Sequence, residues 1–307
     1  ANLATNRVGE ARSAYQAALT AKPDDLAALA GLTSAVQAAE GVAAARKVLE
    51  SAPAAVQGKT RYWLARGAFE TRWGEFAAAE SAYGKAIDNL KKDAGSGDEL
   101  AARAGLVQAQ VQQNKAAEAT ASAEELMKRA GKNPVAKFMR AQAALISNDL
   151  PLARTMLEEV ISDVPGNLQA RMMLGLVNLR QGNLGQAELH LTEVVSRDPS
   201  NWYARRLLAE TRVAQKEPEA ALRVLQGQAG EEANPALLTM AGRLSLGTGN
   251  KEQGLAFLEQ AAAAKTGDPQ VAMELASAYL VAGEVNKAIE LIEPLPESQT
   301  PGGYQRE

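Results

Sequence analysis

The chain of 307 residues contains no cysteine, one histidine and only 4% aromatic residues. Without cysteine there are no disulfides, thiolate metal sites or cysteine nucleophiles, a condition that suits a cytoplasm and a periplasm equally. The single histidine, His190, would be the one imidazole base for any nucleophile. No apolar stretch approaches the roughly 20 residues needed to span a bilayer, and no signal peptide is evident. An excess of one charge is also missing. The formal net charge is −3, the pI is near 5.6, and Lys and Arg alternate with Asp and Glu throughout. A nucleic-acid-binding domain normally gathers positive charge, with a pI above about 9. RNA and DNA are therefore not expected as partners.

What is present favours helix almost everywhere. Alanine and leucine dominate the 46% hydrophobic content, β-branched runs are scarce, and no alternating strand pattern has useful length. The helical pattern also repeats, with a period near 34 residues. In residues 168–201, Leu174 and Gly175 fall in a first helix, Gly182 at a turn, and Ala187, Leu191 and Val194 in a second helix, with Pro199 closing the unit. One unit earlier, Ala141, Asn148, Ala153, Leu157, Val160 and Pro165 take the corresponding places, and before them Leu106, Asn114, Ala119 and Leu126. Later units carry Leu208, Ala209, Ala221 and Leu225; Gly242, Gly249, Gly254 and Leu258; and Leu275, Ala276, Tyr279, Gly283, Ala288 and Ile292. The N-terminal half keeps the register with Trp63, Gly67, Gly74, Ala79, Tyr83 and Ala86, preceded by Leu32, Ala45 and Leu49. Small residues such as Gly175 and Ala187 let two helices approach closely, and large residues around them fill the gaps.

These spaced positions resemble those of tetratricopeptide repeat proteins over essentially the whole chain. The resemblance implies an all-α fold, a right-handed superhelical solenoid of tandem helical hairpins. Its repeats would be 26–59, 60–93, 100–133, 134–167, 168–201, 202–234, 235–268 and 269–302. A partial repeat would occupy 1–25, and 303–307 would begin another. The charged, Gly-rich stretch KKDAGSGDE at 91–99 reads as a lengthened inter-repeat loop, with 94–99 as the insertion. Residue 1 falls inside a hairpin, residues 294–303 break the helix, and no polar capping helix is visible. A fragment of a longer array is expected.

In such proteins the first helix of each unit lines a concave groove, at its second, fifth, ninth and twelfth positions. Carried onto this chain, the resemblance implies a groove that includes Gln108, Phe138, Gln142, Met172, Leu176, Tyr203, Arg206, Glu210, Arg243 and Met273, with Val111, Leu145, Val213, Thr239 and Ser277 beside them. Met and Phe offer adaptable apolar contact, Tyr and Arg are common at binding hot spots, and Arg206 and Arg243 are suited to clasp a carboxylate. Phe138, Met172 and Leu176 serve equally well as packing between adjacent hairpins. Arg140 stands where the family usually has leucine, so it snorkels or has a specific partner. The regular basic clamp of tetratricopeptide proteins that hold chaperone C-termini is missing.

Catalysis finds little support. His190 reads as a surface or groove-edge side chain, and no His, Asp and Glu set has metal-ligand spacing. Glu124–Glu125, Glu158–Glu159 and the pair at 231–232 are adjacent, and helix neighbours point about 100° apart. Gly9, Gly31, Gly182 and Gly249 are packing or turn residues, not a phosphate loop. No cofactor or metal is expected.

Within 133–295, stretches such as NPVAKFMRAQAALISNDL and DPSNWYARRLLAE resemble the tetratricopeptide lipoproteins of bacterial exosortase/PEP-CTERM systems, a family associated with surface-protein sorting and exopolysaccharide production. That resemblance implies a non-catalytic scaffold binding proteins or peptides in the bacterial periplasm. It would be tethered to the outer membrane through a lipid anchor outside this chain; the alternative location is the cytoplasm. Two alternative roles are an adaptor for a periplasmic protease or exopolysaccharide secretion complex, and the regulatory region of an enzyme whose catalytic domain lies elsewhere. Oligomeric state is left open.

Overall fold

The computed structural model describes residues 2–90, 96–226, 234–265 and 267–293, and the described residues form helices with no strand. In chain order these are α1 (Asn2–Ala21), α2 (Leu26–Glu40), α3 (Val42–Glu50), the single turn α4 (Ala54–Gln57), α5 (Thr60–Arg72), α6 (Phe76–Asp88), α7 (Ser96–Gln112), α8 (Ala116–Ala130), α9 (Pro134–Ile146) and α10 (Leu150–Asp163). They continue with α11 (Leu168–Arg180), α12 (Leu184–Arg197), α13 (Trp202–Ala214), α14 (Pro218–Gln226), α15 (Pro235–Gly247), α16 (Lys251–Ala264), α17 (Pro269–Ala282) and α18 (Val285–Ile292). The chain divides into two compact units, Ala1–Pro165 and Gly166–Glu307. Within each, consecutive helices pack as antiparallel hairpins stacked side by side.

Local chemistry sets the helix boundaries. Six first helices start behind a capping Asn or Asp whose side chain accepts from backbone N–H groups: Asp25 from Ala27 at 2.9 Å, Asn133 from Val135 at 2.9 Å, Asn167 from Ala170 at 2.9 Å, Asn201 from Ala204 at 3.0 Å, Asn234 from Ala236 at 2.9 Å and Asp268 from Gln270 at 2.9 Å. Such a cap contributes about 1 kcal/mol by satisfying an orphan donor. Proline follows at the first helical position of α9, α15 and α17, where its missing N–H costs nothing.

From α5 onward first helices stop in one way. A residue with positive φ reverses the chain at Gly74, Asn114, Asn148, Gly182, Lys216, Gly249 and Gly283. The next N–H then reaches back five residues, from Glu75 to the Glu70 carbonyl (2.9 Å), from Asp149 to Ala144 (2.8 Å), from Asn183 to Asn178 (2.8 Å) and from Glu217 to Arg212 (2.9 Å). This C-cap satisfies carbonyls that a helix end would otherwise leave unpaired.

Close helix approach sets the core. Ala79, Ala119, Ala153, Ala187 and Ala221 have no solvent exposure. Tyr83 is gripped between two glycines: a Cβ on Gly67 or on Gly105 would come within 2.6 or 2.4 Å of its ring. Large side chains close the gaps, with Leu126, Leu157, Leu191 and Leu258 fully buried, each such burial stabilising by roughly 1.5–3 kcal/mol.

The N-terminal unit also buries charge. Glu70 is completely enclosed, accepting from Nε of Arg46 at 2.9 Å and of Arg66 at 3.2 Å. Glu80 gathers Lys115 (2.7 Å), Gln113 (2.8 Å) and Gln110 (3.2 Å). Burial opposes its ionisation, but those donors outweigh burial and hold its pKa below the ordinary glutamate value.

One expectation needs correction. The stretch 91–99 is not a loop throughout, because α7 starts at Ser96, with Asp98 and Glu99 in its first turn where the helix dipole favours acid. Arg103 donates to Glu99 at 2.9 Å and Arg61 to Asp98 at 3.2 Å. Residues 91–95, 294–303 and the acidic pair at 231–232 lie outside the described residues.

Candidate functional site

Three successive first helices of the C-terminal unit, α13, α15 and α17, present the richest surface. Their side chains line a trough of about 700 Å³ whose walls include Arg206, Glu210, Val213, Thr239, Arg243 and Glu274. Arg243, Gln270 and Glu274 also belong to an adjoining well of about 560 Å³, completed by Leu246, Leu258, Met273, Ser277, Ala278 and Val281. Arg206, Glu210, Arg243 and Met273, named from the sequence, are thus brought to one surface together with Val213, Thr239 and Ser277.

Charged pairs order that surface. Arg206 Nε donates to Glu210 Oε1 at 2.7 Å, one turn along α13, and its guanidinium carbon stands 5.8 Å from the Tyr203 ring centroid. The hydrogen bond from Arg206 to Glu210 outweighs burial and raises the already high pKa of the arginine. Arg243 Nε lies 3.3 Å from Glu274 Oε2, linking α15 to α17. Lys265 pairs with Asp268, and its hydrogen bond keeps that carboxyl below the usual range. Tyr203 meets Trp202 edge to face, with centroids 5.7 Å apart and Trp202 exposed.

The remaining sequence-derived groove residues are placed differently. Gln142 is buried on α9 and Leu145 beside it is nearly so, which leaves little of either for a partner; hairpin packing at 134–146 closes over both. Phe138 is half-buried against the core around Val107, Leu126 and Met139. Met172, Leu176 and Tyr203 pack partly on Ala187, Leu191, Leu207 and Leu208. Gln108 is half-buried on α7. Arg140 has a specific partner, donating to Glu124 at 3.0 Å.

The side chains examined for chemistry have structural surroundings. His190 is half-buried on α12. The adjacent glutamates diverge, with Glu158 near Arg154 and Glu159 near Lys137, and Glu124 on Arg140 and Glu125 on Arg129. Among the described residues no group of three or more His, Asp or Glu side chains is placed to hold a metal, and no helix is long and apolar enough to cross a membrane. Gly31 faces the Tyr15 ring, while Gly182 and Gly249 sit at turns with positive φ.

Two residues escaped the sequence reading. Arg205, next to Arg206, is buried, and donates to the carbonyls of Val224 (3.0 Å) and Pro199 (2.9 Å). Leu246, a wall of the apolar well, is the twelfth position of the repeat at 235–268 and so falls in the groove series, although only Thr239 and Arg243 of that repeat were named from it. The signal for Arg205 was available, because it falls in register with the buried positions Leu208 and Ala209 on the helix face turned inward.

Comparison with known proteins agrees with this architecture. Among solved structures the fold is similar to a tetratricopeptide repeat protein from Parabacteroides merdae, with a TM-score of 0.60 and 13% identity over 81% of this chain and 97% of that one. It is also similar to pilF of Pseudomonas aeruginosa, with a TM-score of 0.55 and 15% identity over 72% of this chain and 97% of the other. No curated protein matches the sequence significantly. Two family models, each described as tetratricopeptide repeat, match residues 104–167 and 138–191, and residues 178–244 and 245–302. With hairpins, turns and small-residue contacts recurring at the same interval, the chain belongs to the tetratricopeptide repeat family.

Proposed function

We infer that this protein is a non-catalytic scaffold that holds partner proteins through the inner helices of its hairpins, in the bacterial cell envelope. The observation that carries the binding role is the convergence of Arg206, Glu210, Arg243 and Met273, from three different first helices, on one connected pair of depressions. A partner lying across α13, α15 and α17 gains contacts from three repeats at once. The Arg206–Tyr203 pair supplies the residue types that most often carry binding energy. The envelope assignment rests on the resemblance of residues 133–295 to the exosortase-associated lipoproteins.

The test is affinity purification from the source organism with the native chain and with a Tyr203→Ala, Arg206→Ala double variant. Selective loss of the captured partners, with helicity unchanged by circular dichroism, is the expected result. Equal capture by the double variant would remove this face from consideration. Fractionation of the same cells tests the location, and recovery only from the cytosol would contradict it.

A further inference from the structure

We propose that the trough of the C-terminal unit selects acidic peptide segments that carry an apolar side chain beside the acid. This rests on the scaffold reading above and specifies what the scaffold holds.

By formal charge the trough is neutral, because Arg206, Arg243 and Lys265 are matched by Glu210, Glu274 and Asp268. Exposure decides which sign a ligand meets. The side chains of Arg206, Arg243 and Lys265 are 43, 64 and 63% exposed, whereas those of Glu210, Glu274 and Asp268 are 34, 20 and 16% exposed. The acids lie back in the wall and the cations stand forward. An approaching peptide therefore meets positive charge first, although the sum is zero.

The way the arginines are held adds direction. The ion pairs described for Arg206 and Arg243 both use Nε, with Glu210 at 2.7 Å and Glu274 at 3.3 Å. Arg206 is hydrogen-bonded through Nε, whereas Arg243 is held to Glu274 by charge alone, Glu274 Oε2 being buried without a hydrogen-bond partner among the described residues; the terminal nitrogens of both arginines keep donors for a second carboxylate. A planar, pre-oriented fork of this kind loses less freedom on binding than a lysine ammonium would. One turn before Arg243 on the trough wall, Thr239 is buried with a hydroxyl that has no partner among the described residues. An acceptor on the ligand would relieve that unpaired group.

The apolar requirement follows from adjacency. Arg243 and Glu274 line both the charged trough and the well walled by Leu246, Leu258, Met273, Ala278 and Val281. A carboxylate at Arg243 thus places the neighbouring residue at the mouth of the well, where burying an apolar side chain is favourable. Gln108, Phe138 and Gln142, the corresponding choices in the N-terminal unit, carry no charge. The selectivity belongs to the C-terminal unit.

The experiment uses the full 307-residue chain and fluorescence anisotropy with three short peptides blocked at both ends. The first combines glutamate and leucine, the second lysine and leucine, and the third glutamate and serine. The glutamate–leucine peptide is expected to bind best and to weaken with added salt. Its affinity should fall about tenfold in an Arg206→Gln, Arg243→Gln variant, and less in Met273→Gln. Circular dichroism checks that each variant is folded. Preference for the lysine–leucine peptide would overturn the acidic class and leave the groove reading intact. Equal binding of the glutamate–serine peptide would overturn the apolar requirement, and indifference to the arginine substitutions would overturn the site. If no peptide binds, partner capture by the Tyr203→Ala, Arg206→Ala variant separates the two ideas. Capture that stays sensitive overturns this proposal alone; insensitive capture overturns both.

Discussion

A Cβ built on Gly175 would lie 2.6 Å from Cγ of Leu191, well inside the distance at which two carbon atoms rest. The contact joins α11 to α12, and Leu191 is fully buried, so the atom in the way has nowhere to retreat. Helix propensity alone would favour alanine over glycine by about 1 kcal/mol, and packing opposes it. Gly175→Ala should therefore destabilise the C-terminal unit by roughly 1–3 kcal/mol, and Gly175→Leu by more. Gly84, inside α6, is the control because nothing lies within 4 Å of its missing Cβ. Gly84→Ala should stabilise by about 0.5–1 kcal/mol. Urea denaturation of the two alanine variants should shift in opposite directions.

Arg205 should behave as a structural residue although its neighbour lines the trough. Its guanidinium ties the carbonyl of Val224, near the end of α14, to that of Pro199, before α13. Burial without an acidic partner pushes its pKa down. Lysine cannot reach two carbonyls with a planar fork. Arg205→Lys is expected to cost about 1–3 kcal/mol, the penalty of leaving a buried acceptor unpaired. The thermal midpoint should fall while peptide binding at the trough survives at temperatures where the chain is folded. A lysine variant as stable as the parent would refute this role.

Tyr279 gives a signature at high pH. Burial, followed by the hydrogen bond its hydroxyl donates to Glu259 at 2.8 Å, pushes its pKa up to about 12. An unfolded tyrosine ionises near 10. Between those values the unfolded chain binds fewer protons than the folded chain, so stability falls as pH rises. Ultraviolet titration should show a tyrosine ionising near pH 12. Tyr279→Phe should remove that step, and Glu259→Gln should move it to lower pH. A native chain without a tyrosine step near pH 12 would contradict the placement.

The fold was legible because its signals are local and repeated. Asn and Asp before proline or an apolar run announce the start of α9, α13, α15 and α17. Gly175, Ala187 and Leu191 recur in equivalents all along the chain. The site was legible in part. Counting along the first helices reaches Arg206, Glu210, Arg243 and Met273 because those positions turn toward one surface whatever the neighbours are. Counting cannot show how far a neighbouring hairpin overlaps, which is why Gln142 is buried where a groove residue was expected. Nor can it place charges whose partners come from other helices. Glu70 reads as one more surface acid until Arg46 on α3 and Arg66 on α5 close around it. Residues 96–99 read as loop because Ser, Gly and Asp are poor helix interior, although two acids suit a first turn.

The turns have a further consequence for how length can change. From Asn114 to Gly283 the reversing residues recur every 33 or 34 positions, while Gly74 and Asn114 stand farther apart. The extra residues fall between α6 and α7, that is, between hairpins. From α5 onward, links inside hairpins hold three residues at 73–75, 113–115, 147–149, 181–183, 215–217 and 248–250, and two at 283–284. The return bond holds the inner links short, closing over them at 2.8–3.0 Å from Glu75 to Glu284. The outer links are free to grow. Tags, loops or whole modules can be spliced there without disturbing the phase of any later helix, so new capability can be added along one edge of each stack while the first helices keep their spacing.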